Sequence, residues 1–186
     1  MIHRFKITIV IFFLVLIYPN LFAQEKKELD NVKTKMELFS SKTGTITKFT
    51  DTKLPNLKTA YSIAETKIRK ISSGAISVYF YQITKEGKYG STTASIEYND
   101  LIELIKALKA LQPETDKDVA LNPDYLENKF VTVDGFQIGY YVSGGKANWY
   151  IKLEKGGSDN TLFLNNGDLI ETAFNEAKIK IEELKK

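Results

Sequence analysis

Twice along this chain the apolar spacing switches from every second residue to every third and fourth, and both switches fall on the letters DLIE. One copy is Asp100-Leu101-Ile102-Glu103 and the other Asp168-Leu169-Ile170-Glu171. A spacing of two marks a strand with one covered face, and a spacing near 3.6 marks an amphipathic helix. Strands are expected over about 64–72, 75–84 and 89–98, then over 128–133, 136–142, 146–154 and 161–164, each series closed by a helix. The pattern predicts an α+β protein: one antiparallel sheet built from a tandem strand-strand-strand-helix pseudo-repeat, with the helices packed on one face. The halves also share a glycine followed by paired aromatics, Gly74 with Tyr79-Phe80 and Gly135 with Tyr140-Tyr141.

The spacing of DLIE has a local explanation. An aspartate ahead of the first apolar residue can accept amide hydrogen bonds from the first turn, and a glutamate three positions on can reach back to the cap. Asp100 with Glu103, and Asp168 with Glu171, are therefore expected to be helix caps, structural rather than catalytic.

Around this pattern the chain divides simply. Residues 36–186 form one domain, with half 1 at about 36–112, a polar linker at 113–124 and half 2 at about 125–186. "MELFSSKTGTITKF" reads as a hairpin closed at Leu54-Pro55, because proline donates no ladder hydrogen bond. Residues 24–35 are charged and are expected to form a mobile arm. Ahead of them, His3, Arg4 and Lys6 precede the apolar run Ile7–Ile17, and Ala23 follows at a cleavage-compatible position. That order describes a signal peptide over residues 1–23. The run is too short for a retained span, which needs about 20 apolar residues, so no transmembrane segment is expected in the mature chain. Cleavage removes 23 of 186 residues and leaves 163; without Arg4 and Lys6, 24 basic residues remain against 23 acidic ones. Such a balance gives no reason to expect nucleic-acid binding. The chain has no Cys and no Asn-x-Ser/Thr sequon, and an exported domain built without disulfides is expected in a bacterial periplasm or on a cell surface.

The composition also limits the chemistry. The single histidine is His3, so the mature chain has neither His nor Cys. Nucleophilic triads and His/Cys zinc sites are excluded. No P-loop or Rossmann glycine pattern occurs, and Gly144-Gly145 and Gly156-Gly157 read as hairpin turns. No cofactor is expected. Asp116, Asp118, Asp134, Glu97 and Glu154 could in principle serve as paired carboxylates, and "GGSDN" and "NNGD" carry oxygen ligands without a regular calcium loop.

One feature is left over after these structural readings. If Ile76, Val78, Phe80, Phe136, Ile138, Tyr140, Trp149, Ile151 and Leu153 face the helices, alternation sends Tyr79, Tyr81, Tyr141 and Tyr150 to the opposite face. Four tyrosines there could stack on an envelope glycan or peptide, or meet a protein. The expectation is an exported, non-catalytic binding or interaction module. A carboxylate-dependent hydrolase and a structural envelope subunit are the alternatives.

Overall fold

A computed structural model describes residues 33–88, 90–155 and 159–186. The expected signal peptide, most of the expected arm and the Gly156-Gly157 turn lie outside these residues. The fold is α+β with antiparallel sheets. The strands form two hydrogen-bonded sheets rather than one.

In the first sheet the strands are β1 (Thr47–Lys53), β2 (Leu57–Lys58), β3 (Ile63–Ser73), β4 (Ile76–Gly87) and β5 (Gly90–Glu97), ordered β1-β3-β4-β5 with β2 on the first part of β3. In the second they are β6 (Leu126–Val131), β7 (Gln137–Ser143), β8 (Lys146–Lys152) and β9 (Thr161–Leu164), in that order across the sheet. Helix α1 (Lys35–Ser40) precedes the first sheet, α2 (Tyr98–Leu111) follows it, and α4 (Gly167–Leu184) follows the second. The seam is bridged where the Ala60 amide, in the β2–β3 turn, donates to the Phe163 carbonyl on β9 at 2.7 Å.

Both sheets and both long helices share one core. Leu101, Leu104, Ile105 and Leu108 of α2, with Ile170, Phe174, Ala177 and Ile181 of α4, pack with Ile68, Tyr81, Ile83 and Ile96 of the first sheet and Ile138, Tyr140, Trp149 and Ile151 of the second. Burial of each such side chain contributes about 1.5–3 kcal/mol. Among the described residues, no helix is long and apolar enough to cross a membrane.

Three local expectations are corrected. "KMELFS" forms α1 instead of the first arm of a hairpin, and β1 pairs with β3 along Thr47–Lys53. Met36 and Phe39, three apart, fit one helical face. The linker holds a 3₁₀ turn at Gln112–Glu114 and helix α3 (Thr115–Ala120). Pro113 sits early in that turn, where its missing N–H costs nothing.

The caps also differ. The α2 cap is Glu97, whose carboxylate accepts the Asn99 amide at 3.1 Å. The α4 cap is Asn166, whose side-chain oxygen accepts the Leu169 amide at 3.1 Å. Asp100 and Asp168 lie inside the first turns, favourable to the helix dipole, but their carboxylates go elsewhere. Asp100 pairs with Lys35 at 2.6 Å, and Asp168 accepts from Gln112 at 3.0 Å. Glu103 pairs with Lys106 at 2.8 Å instead of reaching back. Counting from each cap, Asp100 is the third helical residue and Asp168 the second. The shared letters therefore do not occupy equivalent positions.

Candidate functional site

Of the four tyrosines expected on the outer face, Tyr79 and Tyr81 face the helices and belong to the core. Tyr81 is 1% exposed and meets Phe174 edge-on at 5.9 Å, and burial pushes its phenol far above the usual range. The Tyr79 hydroxyl donates to the Leu184 carbonyl at 2.9 Å, tying the end of α4 to β4. The reason lies in the neighbouring strands. The face of β4 that carries Val78, Phe80 and Gln82 is in register with Ile71, Arg69 and Lys67 of β3. Covering it with the long helices would bury two cations, so the face of Tyr79, Tyr81 and Ile83 takes the core. Phe80 and Gln82 are nevertheless buried, and Gln82 donates to Met36 Sδ of α1 at 3.6 Å and to Ser95 at 2.8 Å. Helix α1 thus lies against the face opposite the long helices.

In the second sheet the alternation holds. Ile138, Tyr140, Trp149 and Ile151 join the core, so Tyr141 and Tyr150 point to the other face. Tyr150 is in register with Gly139 on β7, and its hydroxyl donates at 2.6 Å to Glu127 on β6, one strand beyond. Its ring therefore crosses Gly139. This reach leaves Tyr150 buried rather than accessible. Burial and then the bond to Glu127 push its phenol up; the same bond, helped by Lys129 at 2.9 Å, holds the Glu127 carboxyl below the usual range.

The accessible rings flank this anchor. Tyr125 stacks on Tyr141 at 6.0 Å and an interplanar angle of 23°, and is 62% exposed. Phe163 of β9, in register with Tyr150, meets Tyr61 edge-on at 6.4 Å, and Tyr61 is 87% exposed. The result is a row of five aromatic rings running across the strands from β6 to the seam. With strands about 4.8 Å apart, the row spans roughly 15–20 Å. At its seam end lies a cleft of about 500 Å³, lined by Tyr61, Ser62, Lys85, Asp159, Thr161 and Phe163 among others.

Tyr125, Phe163, Tyr61, Glu127 and Gly139 were not singled out by the sequence. Gly139 carried the one available signal, since a glycine inside an aromatic strand marks a close approach.

Three of the five candidate carboxylates are engaged in the fold. Asp118 accepts from Tyr140 at 2.6 Å and from Asn128, fastening α3 to β6 and β7. Asp134 accepts the Lys35 backbone amide at 3.1 Å, and burial pushes its carboxyl up. Glu97 caps α2. Asp116 and Glu154 are exposed. Of the oxygen-rich turns, Asn160 donates to the Glu154 carbonyl at 3.0 Å, Asp159 pairs with Lys85, and Asn166 caps α4. Among the described residues no group of three or more potential ligands is placed to hold a metal ion. The Gly144-Gly145 turn joins β7 to β8 as a two-residue hairpin with both φ positive, at 58° and 71°. A second exposed apolar patch lies on the first sheet, at a groove lined by Phe39, Ile46 and Ile76.

Comparison with known proteins gave no family for this architecture: no family model, no curated protein and no solved structure matches the chain.

Proposed function

We propose that the chain is an exported, non-catalytic binding module whose ligand face is the outer face of the second sheet. One observation carries the reading: Tyr125, Tyr141, Phe163 and Tyr61 form accessible stacked and edge-on pairs on either side of Tyr150, which is fixed by Glu127. Rings already held in place lose little freedom on binding, and each stacking contact is worth about 0.5–1.5 kcal/mol beyond the area it buries. Asp118, Asp134 and Glu97 support the non-catalytic part of the reading, since each is spent on holding elements together. The basic-apolar-small order of residues 1–23 supports export to the periplasm or cell surface, with cleavage ahead of Gln24. The sheet-then-helix order in each half further supports one plan used twice.

The test is quantitative binding to isolated cell envelopes of the producing organism. The mature chain is compared with a Tyr125→Ser, Tyr141→Ser variant of unchanged circular dichroism. The variant is expected to lose at least tenfold in affinity; equal binding would end the proposal.

A further inference from the structure

We infer that the seam cleft beside Tyr61 and Phe163 binds a neutral saccharide. The inference rests on the reading of the outer face as the ligand face, and it names the class of ligand. Three features of the cleft argue for it.

The first is presentation. Tyr61 stands 87% exposed on a turn that is braced from several sides. The Ser62 amide donates to Thr59 Oγ1 at 2.9 Å, the Thr59 amide donates to the Ser62 carbonyl at 2.9 Å, and the Ala60 amide bonds to Phe163. A large ring held in water by a rigid turn gains nothing for the fold, but it can cover the C–H face of a sugar ring at small ordering cost. Phe163 meets Tyr61 edge-on and supplies the wall beside it.

The second is charge. The Lys85 ammonium lies within 3.2 Å of Asp159 Oδ1, the Asp159 carbonyl and the Thr161 carbonyl, and its side chain is only 14% exposed. Three acceptors match its three N–H donors, so it has none left for an anionic ligand. The Asp159 side chain is 68% exposed, so its carboxylate stands open to a hydroxyl entering the cleft. Its charge is balanced by Lys85, so the cleft is near neutral and gives a cationic ligand no net attraction. What remains on offer is a hydrogen-bond acceptor beside two aromatic rings. A sugar hydroxyl donates to such an acceptor while its ring covers the aromatics.

The third is the strand edge. An extended peptide would add to β9 through its free backbone groups. The Phe163 carbonyl is already taken by Ala60, which obstructs that mode of binding and leaves recognition to side chains.

The experiment titrates the mature chain, by calorimetry and by two-dimensional NMR, with cellohexaose, xylohexaose, mannohexaose, maltohexaose and chitohexaose. Choline, polygalacturonate and an extended neutral peptide are run beside them. At least one neutral saccharide is expected to bind with Kd of about 10 µM to 1 mM. Its affinity should be little changed by added salt, fall at least tenfold in Tyr61→Ala and fall in Asp159→Asn. Tyr61 makes no buried contact, so its replacement leaves the fold intact, and the thermal midpoint checks this. The inference is overturned if no saccharide of the panel binds, if Tyr61→Ala leaves its binding unchanged, or if choline, polygalacturonate or the peptide occupies the cleft instead. Loss of envelope binding in the Tyr125, Tyr141 variant without any saccharide binding would refute the ligand class and leave the face reading standing.

Discussion

Gly139→Ala isolates the geometry on which the candidate face depends. Gly139 is in register with Lys129 on one side and Tyr150 on the other. A Cβ placed there would lie 2.3 Å from the Asn128 carbonyl oxygen and 2.9 Å from both Cα and Cβ of Lys129. Ordinary contact begins near 3.4 Å, so β6 must retreat by about 1 Å, because the clash is with backbone that no rotamer change can relieve. A ladder hydrogen bond of normal length would open to about 4 Å, beyond a useful bond. Losing two such bonds costs about 2 kcal/mol, and drawing Asn128 away from Asp118 and Tyr140 costs about 1 kcal/mol more. The lower entropy of unfolded alanine offsets about 0.4–1 kcal/mol. The net expectation is a loss of about 2–3 kcal/mol, in the range found for overpacking. For a domain of this size that lowers the thermal midpoint by roughly 5–10 °C. Urea denaturation followed by circular dichroism measures it. Gly44→Ala serves as control: its φ is +75° and nothing lies within 4 Å of its Cβ, so only the backbone cost of about 1 kcal/mol is expected. A Gly139→Ala variant within 0.5 kcal/mol of wild type would refute the close approach of β6 to Gly139.

Further outcomes follow from the same contacts. Tyr81→Ser should destabilise by at least about 3 kcal/mol through loss of a buried ring, whereas Tyr125→Ser should change stability by less than about 1 kcal/mol; denaturation midpoints compare them. Asn166→Ala should cost about 1 kcal/mol as a lost cap, and Asp168→Ala less, in the same assay. The hydrogen bond from Arg69, with help from Lys67, lowers the Asp51 carboxyl from 3.8 to about 2. Its contribution is therefore complete above about pH 4 and lost as pH falls towards 2, so Asp51→Asn should flatten that part of the acid-unfolding curve. Lys35→Ala should speed amide exchange in α1, since it removes the ion pair with Asp100 and leaves only the backbone bond to Asp134.

The positions of most strands, and of both long helices, could be read from apolar spacing, which is a local property. The facing of β4 could not. Its residues 79–83 are all buried, so both faces of that strand are covered and alternation alone does not choose between them. The choice was made by Lys67 and Arg69 on β3, whose register is a tertiary fact. In β7 and β8 the outward residues include Gln137, Gly139, Asn148 and Lys152, and the contrast with the apolar set was enough. DLIE has the spacing of a capping box, yet the caps lie ahead of it, at Glu97 and Asn166. The carboxylates were drawn to Lys35 and Gln112, which are distant in sequence. The row of rings was only half visible for a similar reason. Tyr141 and Tyr150 stood out, but Tyr125 and Tyr61 lie outside any strand and join the row only through tertiary contact.

Tyrosine-resolved hydroxyl-radical footprinting of the mature chain, free and bound to isolated envelopes, tests the binding face most directly. Protection is expected at Tyr61, Tyr125 and Tyr141, with Ile46 and Ile76 on the first sheet unchanged. Protection at Ile46 and Ile76 instead, with Tyr61 and Tyr125 as reactive as in the free protein, would contradict the assignment of the second sheet as the ligand face.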